Sequence, residues 1–321
     1  MEPVFAIISM WMMSLTEWFE THRAQVLSAA ISYYCYIGVR TLPKFFDFQY
    51  RISYSKIETV QSVSDIQHPV VRKLLIDYQY EHPLELFCYA DLPARSGIAS
   101  SSAFTCSLLT AVNKLRDTEL SKRELAMEAI RVERDVVGDS VGFQDQVACA
   151  YGGVNRIEFN RSGFSVDPLS VSQELEIDLF QNLFLVYSGQ SRLSTYLAKT
   201  HVESIQRNER YIERMVGQVD DALSILHSQH FDAVAFGELL REAWAQKKEL
   251  TSSISNEFLD NLYSYGLDNG ALGGKVVGAG GGGFVLFFVD RKHRKSFVEA
   301  FREYVVVPVR PDYEGCTFTS F

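Results

Sequence analysis

The chain has 321 residues, 47% of them apolar and 22% charged, with a formal net charge of −9. That mix excludes a disordered chain, and an acidic balance without a basic stripe excludes nucleic acid as the partner. The length accommodates two domains of ordinary size, each with its own core.

Taken in chain order, residues Pro3 to Met13 are almost wholly apolar. No basic residue precedes them, no small-residue cleavage site follows, and the run is too short to span a bilayer, so it reads as a buried strand. The stretch Val26 to Val39, VLSAAISYYCYIGV, is rich in β-branched and aromatic residues and predicts a second buried strand. Further strands are predicted over Tyr50–Tyr54, Leu84–Tyr89 and Asn155–Phe159. Helices are predicted over Ser101–Leu115 and Lys122–Val137, the latter opened by a capping box of Ser121 and Glu124.

After about Asn160 a strand at Leu183–Tyr187 leads into a polar helical region, Ser194–Leu226. Helices over Ala233–Leu250 and Asn256–Tyr265 follow, then a short β segment, Lys275–Gly278. A glycine run, a strand over Phe284–Val289 and a last helix over Lys295–Tyr304 complete the chain. The basic run Arg291 to Lys295 reads as a solvated helix start. With no long linker or repeat, the two halves are expected to share an extensive interface with a ligand cleft. The cysteines Cys35, Cys88, Cys106, Cys149 and Cys316 show no CxxC and no zinc spacing, the pattern of reduced thiols in a cytoplasmic protein. The seven histidines form no HxxxH or HExxH pair.

Three segments carry chemistry. Asp91 to Thr105, DLPARSGIASSSAFT, follows a strand and opens a helix. Successive N–H groups at a helix N-terminus attract anions, and small residues let a phosphate come close. A serine hydroxyl there can also ligate Mg²⁺. The GxxxxGK[ST] loop is absent. Second, Glu133 and Asp145, the latter in the loop GDSVGFQDQVA, provide two carboxylates. Phosphoryl transfer to a hydroxyl needs one group to hold the metal and another to orient or accept the attacking proton. Asp135 competes with Glu133 for the metal role, but two residues apart on a helix they do not share a face. Third, GGKVVGAGGGGFVLFFV, Gly273 to Val289, carries four consecutive glycines, whose entropic cost points to a close approach of backbone or phosphate. Lys275 there is either a cation in the cleft or an exposed strand-end lysine.

These segments resemble the three motifs of the GHMP kinases. Pro93, Gly97, Ile98, Ser100, Ser101 and Ala103 match PxxxGLGSSAA, with Ala99 in place of the second glycine. Glu133, Gly138, Gly142, Gln144, Asp145, Gln146 and Ala148 match ExxxxGxxxGxQDQxA, and the glycine run matches KxxGAGGGGF. The resemblance implies an α+β, two-domain GHMP kinase fold: a ribosomal protein S5 domain 2-like N-terminal domain over 1–165 and a ferredoxin-like C-terminal domain over 166–321. It implies ATP as cofactor, on Pro93, Ser96, Gly97, Ile98, Ala99, Ser100, Ser101 and Ser102 together with Gly278, Gly280, Gly281 and Gly282. By the same match Ser101 and Glu133 hold Mg²⁺, Asp145 is the catalytic base, and Tyr151, Gly152 and Gly153 shape the sugar site.

The strings RISYSK (Arg51 to Lys56), His68-Pro69 with Arg72, and YSGQSR (Tyr187 to Arg192) are similar to those of heptose 7-phosphate kinases, which phosphorylate the C1 hydroxyl. A phosphorylated sugar needs a cationic anchor, for which Arg192 is the first candidate, with Lys56 and Arg51 beside it. A homodimer stays open as the assembly, and no membrane partner is expected.

The first twenty residues depart from the pattern. MEPVFAIISMWMMSLTEWFE has Met and Trp where the subgroup has glycines and Ser14 where it has an aspartate, and residues 1 to 22 contain no Arg or Lys. Loss of one preorganised group near the reacting oxygen costs on the order of 10²–10³ in rate. Two alternatives therefore stand beside the heptose reading: a kinase for a galactose- or fucose-like sugar, and a GHMP-fold protein that binds ligand without turnover.

Overall fold

The β-branched and aromatic run after the first segment folds as one long strand, β2 (Ala24–Thr41), around which the first half of the chain is organised. Its first eight residues are all buried, and the rest alternate toward partial exposure, as a strand does when it leaves a two-sided core for a sheet with one open face. The computed structural model describes residues 3–9, 22, 24–139, 142–190 and 209–320. Strand β1 (Pro3–Ser9) lies antiparallel on β2, from Pro3 opposite Tyr36 to Ser9 opposite Ser28. The apolar opening segment is therefore a strand as far as Ser9. Trp11, Met12, Met13 and Ser14 lie outside the described residues, as do Arg192 and the part of the expected helical region before Glu209.

With β3 (Tyr50–Ser53), β4 (Ile57–Val60), β5 (Leu84–Ala90), β6 (Val154–Asn160) and β7 (Gly163–Pro168), these strands make a sheet ordered β4-β3-β5-β2-β6-β7, with β1 also on β2. Among the described residues, only β3 and β5 run parallel within it. Helix α1 (Pro69–Asp77) begins with proline at its first turn, where the missing N–H costs nothing. Helix α2 (Ser100–Leu115) packs on β2 and buries Ala103, Cys106, Leu109 and Val112. Helix α3 (Lys122–Arg131) has the expected capping box in full: Glu124 N–H donates to Ser121 Oγ, and Ser121 N–H donates to the Glu124 carboxylate. Its regular turns stop at Arg131, and the chain continues as a wider π turn, Val132–Val137, rather than as α-helix. Helix α4 (Gln144–Tyr151) follows, so Asp145 stands in a helix's first turn and not in a loop.

The second half places α5 (Gln173–Phe180) and β8 (Leu183–Tyr187) before three helices: α6 (Glu209–Leu226), α7 (Ala233–Leu250) and α8 (Glu257–Asp268). Strands β9 (Ala271–Val276), β10 (Phe284–Val289) and β11 (Val306–Pro308) join β8 in an antiparallel sheet ordered β11-β8-β10-β9, and α9 (Arg294–Ala300) precedes β11. The basic run spans a short, solvent-facing 3₁₀ turn, Arg291–His293, and the first two residues of α9, as a helix start would. Lys275 is the penultimate residue of β9, which begins at Ala271, and it pairs with Leu286. Gly273 and Gly274, ahead of the expected β segment, already lie within the strand, and a side chain at Gly273 would collide with the Gly237 backbone of α7.

The halves are not separate bodies. One buried cluster joins Val26, Ile37 and Leu109 to Trp244, Ile254 and Phe287; another joins Leu27, Ala29 and Ile31 to Leu185, Phe236 and Phe288. The sequence after β11 returns to the first sheet, where Ile31 bridges to Pro311.

Candidate active site

The loop from Asp91 to Ala99 connects β5 to α2 and is fixed from within. Ser96 is buried, and its hydroxyl donates to Pro93 C=O at 2.6 Å. Ala99 takes a left-handed conformation, φ 59°, so the backbone retains a conformation that glycine would adopt freely. Ile98 is buried beneath the loop. Ser100 faces the loop again, with its Oγ accepting from Arg95 N–H at 3.3 Å.

The glycine run lies directly against this loop. Phe284 N–H donates to Ser96 C=O at 3.1 Å, and a Cβ on Gly278 would lie 2.6 Å from Gly97 Cα. Other segments pin the run from its far side: Gly281 N–H donates to Ile254 C=O and Gly283 N–H to Gln190 C=O, both at 2.8 Å. A side chain on Gly280 would strike Ile254, and one on Gly282 would strike Gln190. The two glycine-bearing motifs, far apart in sequence, thus form one wall with main chain exposed on it, an arrangement suited to phosphate oxygens.

The carboxylates stand beside that wall. Glu133, on the π turn, is 1% exposed, and its Oε2 accepts from Ser102 Oγ at 3.2 Å and Gln146 Nε2 at 2.5 Å. The contacting serine is Ser102; Ser101, the expected partner, is one residue earlier in the turn and exposed. Burial pushes the Glu133 carboxyl up to about 7, against the hydrogen bonds from Thr105, Gln146 and Ser102 and with the Asp145 charge adding to the rise. Among the described residues Glu133 Oε1 has no hydrogen-bond partner. A buried carboxylate oxygen left unpaired is costly unless a cation or proton takes it, so this site fits a hard cation. Among the described residues no cluster of three or more His, Cys, Asp or Glu could hold a metal. A cation here would draw on Glu133, a hydroxyl and phosphate oxygens, the sparse protein ligation typical of Mg²⁺.

Asp145 is half-buried at the start of α4, and burial pushes its carboxyl up to about 6, opposed by the Gln144 amide and by the charge of Lys247. Sequence reasoning missed that lysine. Lys247 is 4% exposed on α7, and its ammonium donates to Gly278 C=O. The helical spacing carried the signal, because Lys247 falls on the stripe of Leu240, Ala243, Trp244 and Leu250, all buried. Lys275, left open between a cleft cation and an exposed lysine, is buried.

The expected sugar residues are not gathered at the carboxylates. Tyr151 ends α4, roughly 9 Å of helix rise from Asp145. Gly152 packs against Gly315 and Gly153 N–H donates to Asp312 C=O, so this turn meets the C-terminal tail. Lys56 is exposed at the tip of the β3–β4 hairpin, and Arg51 pairs with Glu85 at 3.5 Å. The strings around them do converge: Glu58 accepts from Tyr54 Oη at 2.7 Å and His68 N–H at 3.1 Å, while the His68 ring stacks on Phe104 of α2.

Comparison with known proteins agrees with this architecture. The profile of the GHMP kinases N terminal domain matches residues 66–153, and that of the GHMP kinases C terminal matches residues 204–307, together more than half of the chain. A D-glycero-alpha-D-manno-heptose 7-phosphate kinase from Campylobacter jejuni is 29% identical over 296 residues, 88% of this chain and 87% of that protein. A bifunctional fucokinase/GDP-fucose pyrophosphorylase from Arabidopsis thaliana is 29% identical over 71% of this chain and 22% of its own length. The crystal structure of a D-glycero-D-manno-heptose 1-phosphate kinase from Bacteriodes thetaiotaomicron superposes with a TM-score of 0.80 at 21% identity, covering 100% of this chain and 98% of that one. With both family domains matched, and with the glycine wall and the two carboxylates side by side, the chain belongs to the GHMP kinases.

Proposed function

We propose that this protein transfers the γ-phosphoryl group of ATP to the C1 hydroxyl of D-glycero-D-manno-heptose 7-phosphate, giving the 1,7-bisphosphate. The observation that carries the reading is Glu133: a buried carboxylate tied to the Ser102 hydroxyl of the phosphate loop, with Gln146 linking it to the turn of Asp145. In this reading the N-terminal family domain covers 1–165 and the C-terminal one 166–321, and the reaction takes place where their motifs meet.

The triphosphate lies along Ser96 to Ser102, whose N–H groups favour anions at the α2 N-terminus, and against the glycine turn that begins at Gly278. Glu133, with the hydroxyls of Ser101 and Ser102 on the same turn, would hold Mg²⁺. When bound, the ion would supply positive charge that neutralises the charge developing on the phosphate oxygens. Asp145 orients the C1 hydroxyl and accepts its proton as that oxygen bonds to the γ-phosphorus and the bond to the β–γ bridging oxygen breaks. A carboxyl raised to about 6 is mostly ionised at neutral pH and still a better base than an ordinary aspartate. Among the described residues no helix is long and apolar enough to cross a membrane; a cytoplasmic location belongs to the same proposal.

Incubation with Mg-ATP and heptose 7-phosphate, followed by phosphorus NMR, should show a second phosphate ester. Asp145→Asn should abolish it while leaving ATP affinity nearly intact. Normal turnover by that variant would remove Asp145 from its role.

A second reading, a kinase for an unphosphorylated sugar such as fucose, is favoured by one observation. Of the expected anchors, Lys56 is exposed at a hairpin tip and Arg51 is engaged with Glu85. Comparing kcat/KM for the sugar with and without its 7-phosphate separates the two readings.

A further inference from the structure

A lysine is among the most expensive residues to bury, since its ammonium loses its hydration unless opposite charge or acceptors replace it. Lys247 is buried on α7 with a single hydrogen bond among the described residues, from its ammonium to Gly278 C=O. An ammonium has three donors, so this carbonyl satisfies only part of it. Asp145 acts on it through charge. A second buried lysine, Lys275 on β9, lies near enough for the two charges to disfavour each other. Lys247 itself sits on the glycine turn that packs on Gly97, with one acceptor for its three donors among the described residues. A buried ammonium with donors to spare on that turn calls for an anion.

We propose that Lys247 is a catalytic cation of this kinase, donating to an oxygen of the transferring γ-phosphoryl group from the Gly278 side. This rests on the phosphoryl-transfer reading above. The geometry suits such a role, because the ammonium is tethered to the turn against the loop and Lys247 stands on the buried stripe of α7 with Leu240, Ala243, Trp244 and Leu250. The charged groups around Lys247 are Asp145 from α4 and Lys275 from β9, with Glu133 behind Asp145. Burial lowers Lys247 to about 8, so the ammonium is present at neutral pH and is lost in mildly alkaline solution.

The test compares Mg-ATP with Mg-ADP binding, with no sugar present, in wild type, Lys247→Met and Lys247→Arg. Methionine keeps the length of the stem and suits the apolar stripe, so the fold is expected to survive; unchanged circular dichroism and an undiminished Tm verify this. Lys247→Met should lose at least tenfold in ATP affinity and less than twofold in ADP affinity, whereas Lys247→Arg should stay within threefold of wild type for both. The wild-type preference for ATP should weaken as pH rises above about 8, and the arginine variant should keep its preference through that range. A methionine variant that loses both nucleotides alike, or neither, overturns the role of Lys247 while leaving the kinase reading intact. A wild-type protein that binds neither nucleotide overturns both.

Discussion

Asp145 and Ala99 show how single residues here carry strain that function can use. Asp145 has its carboxyl raised from the ordinary 3.8 to about 6, chiefly by burial. The folded protein therefore holds this proton more tightly than the unfolded chain does. The stability it contributes is fully present below about pH 4 and is lost as pH rises through about 6. Asp145→Asn removes that penalty, so the variant should match wild type in urea unfolding at pH 3.5 and exceed it at pH 7. A variant less stable than wild type at both values would show that the carboxylate is held by contacts rather than strained by burial. Ala99 holds φ at 59°, where an L-residue pays about 1–2 kcal/mol and glycine nothing. Against the extra freedom that glycine brings to the unfolded chain, about 0.4–1 kcal/mol, Ala99→Gly should still stabilise by about 0.5 kcal/mol. The reading is a higher urea midpoint with an unchanged slope.

Between elements, the contact that matters most is main chain on main chain, where the glycine run meets the loop from Asp91 to Ala99. A Cβ on Gly283 would stand 2.2 Å from Ser96 C=O, with φ at 82°. Gly283→Ala must part the two loops, at a cost on the order of 3 kcal/mol from overpacking and backbone strain together, and ATP affinity should fall with it. Gly138 is the control: its φ of 81° is similar, but a Cβ there meets nothing within 4 Å, so alanine should cost only about 1 kcal/mol. Equal losses in the two variants would mean that conformation, not close approach, explains the glycine run.

Much of this arrangement was legible in the chain. The capping box, the strands at Leu183–Tyr187 and Phe284–Val289 and the helix at Ala233–Leu250 follow from local signals, and the structure has each at the expected residues. Asp145 read as loop because Gly138 and Gly142 flank it, while a helix of only eight residues gives too little periodicity to be seen. Strands β4 and β7 are short and at sheet edges, and each buries a single residue, Glu58 and Phe164, so neither carries an apolar alternation to announce it. Lys247 was overlooked because a charge on an apolar stripe shows only when the stripe is tested residue by residue. The choice of Ser102 over Ser101 as partner of Glu133 depends on helix rotation, which a run of three serines does not encode.

At the scale of the whole molecule, the C-terminal tail ties the second half back to the first. Ser32 N–H donates to Arg310 C=O at 2.9 Å, Asp312 N–H to Ala30 C=O at 3.0 Å, and Gly153 N–H to Asp312 C=O at 2.7 Å. Gly315 fills the space over Gly152 so closely that no side chain would fit between them. Deleting the residues after Pro308 leaves two main-chain N–H groups and a C=O of the first sheet and the α4 turn without partners, each worth about 1 kcal/mol net. It also exposes apolar surface around Ile31, which is fully buried. The truncated protein should therefore lose roughly 3 kcal/mol or more in urea unfolding. The loss should be cooperative, with tryptophan fluorescence and far-ultraviolet circular dichroism falling together, because both buried clusters draw residues from the two sheets. Hydrogen exchange should quicken at the amides of Ser32 and Gly153 before it does in β10, whose pairing the deletion does not touch. If the tail were only a surface strap, exchange at Gly153 would stay slow and the midpoint would hold. Separate fluorescence and dichroism transitions would instead mean that the halves fold independently, and that the shared clusters contribute less than their burial suggests.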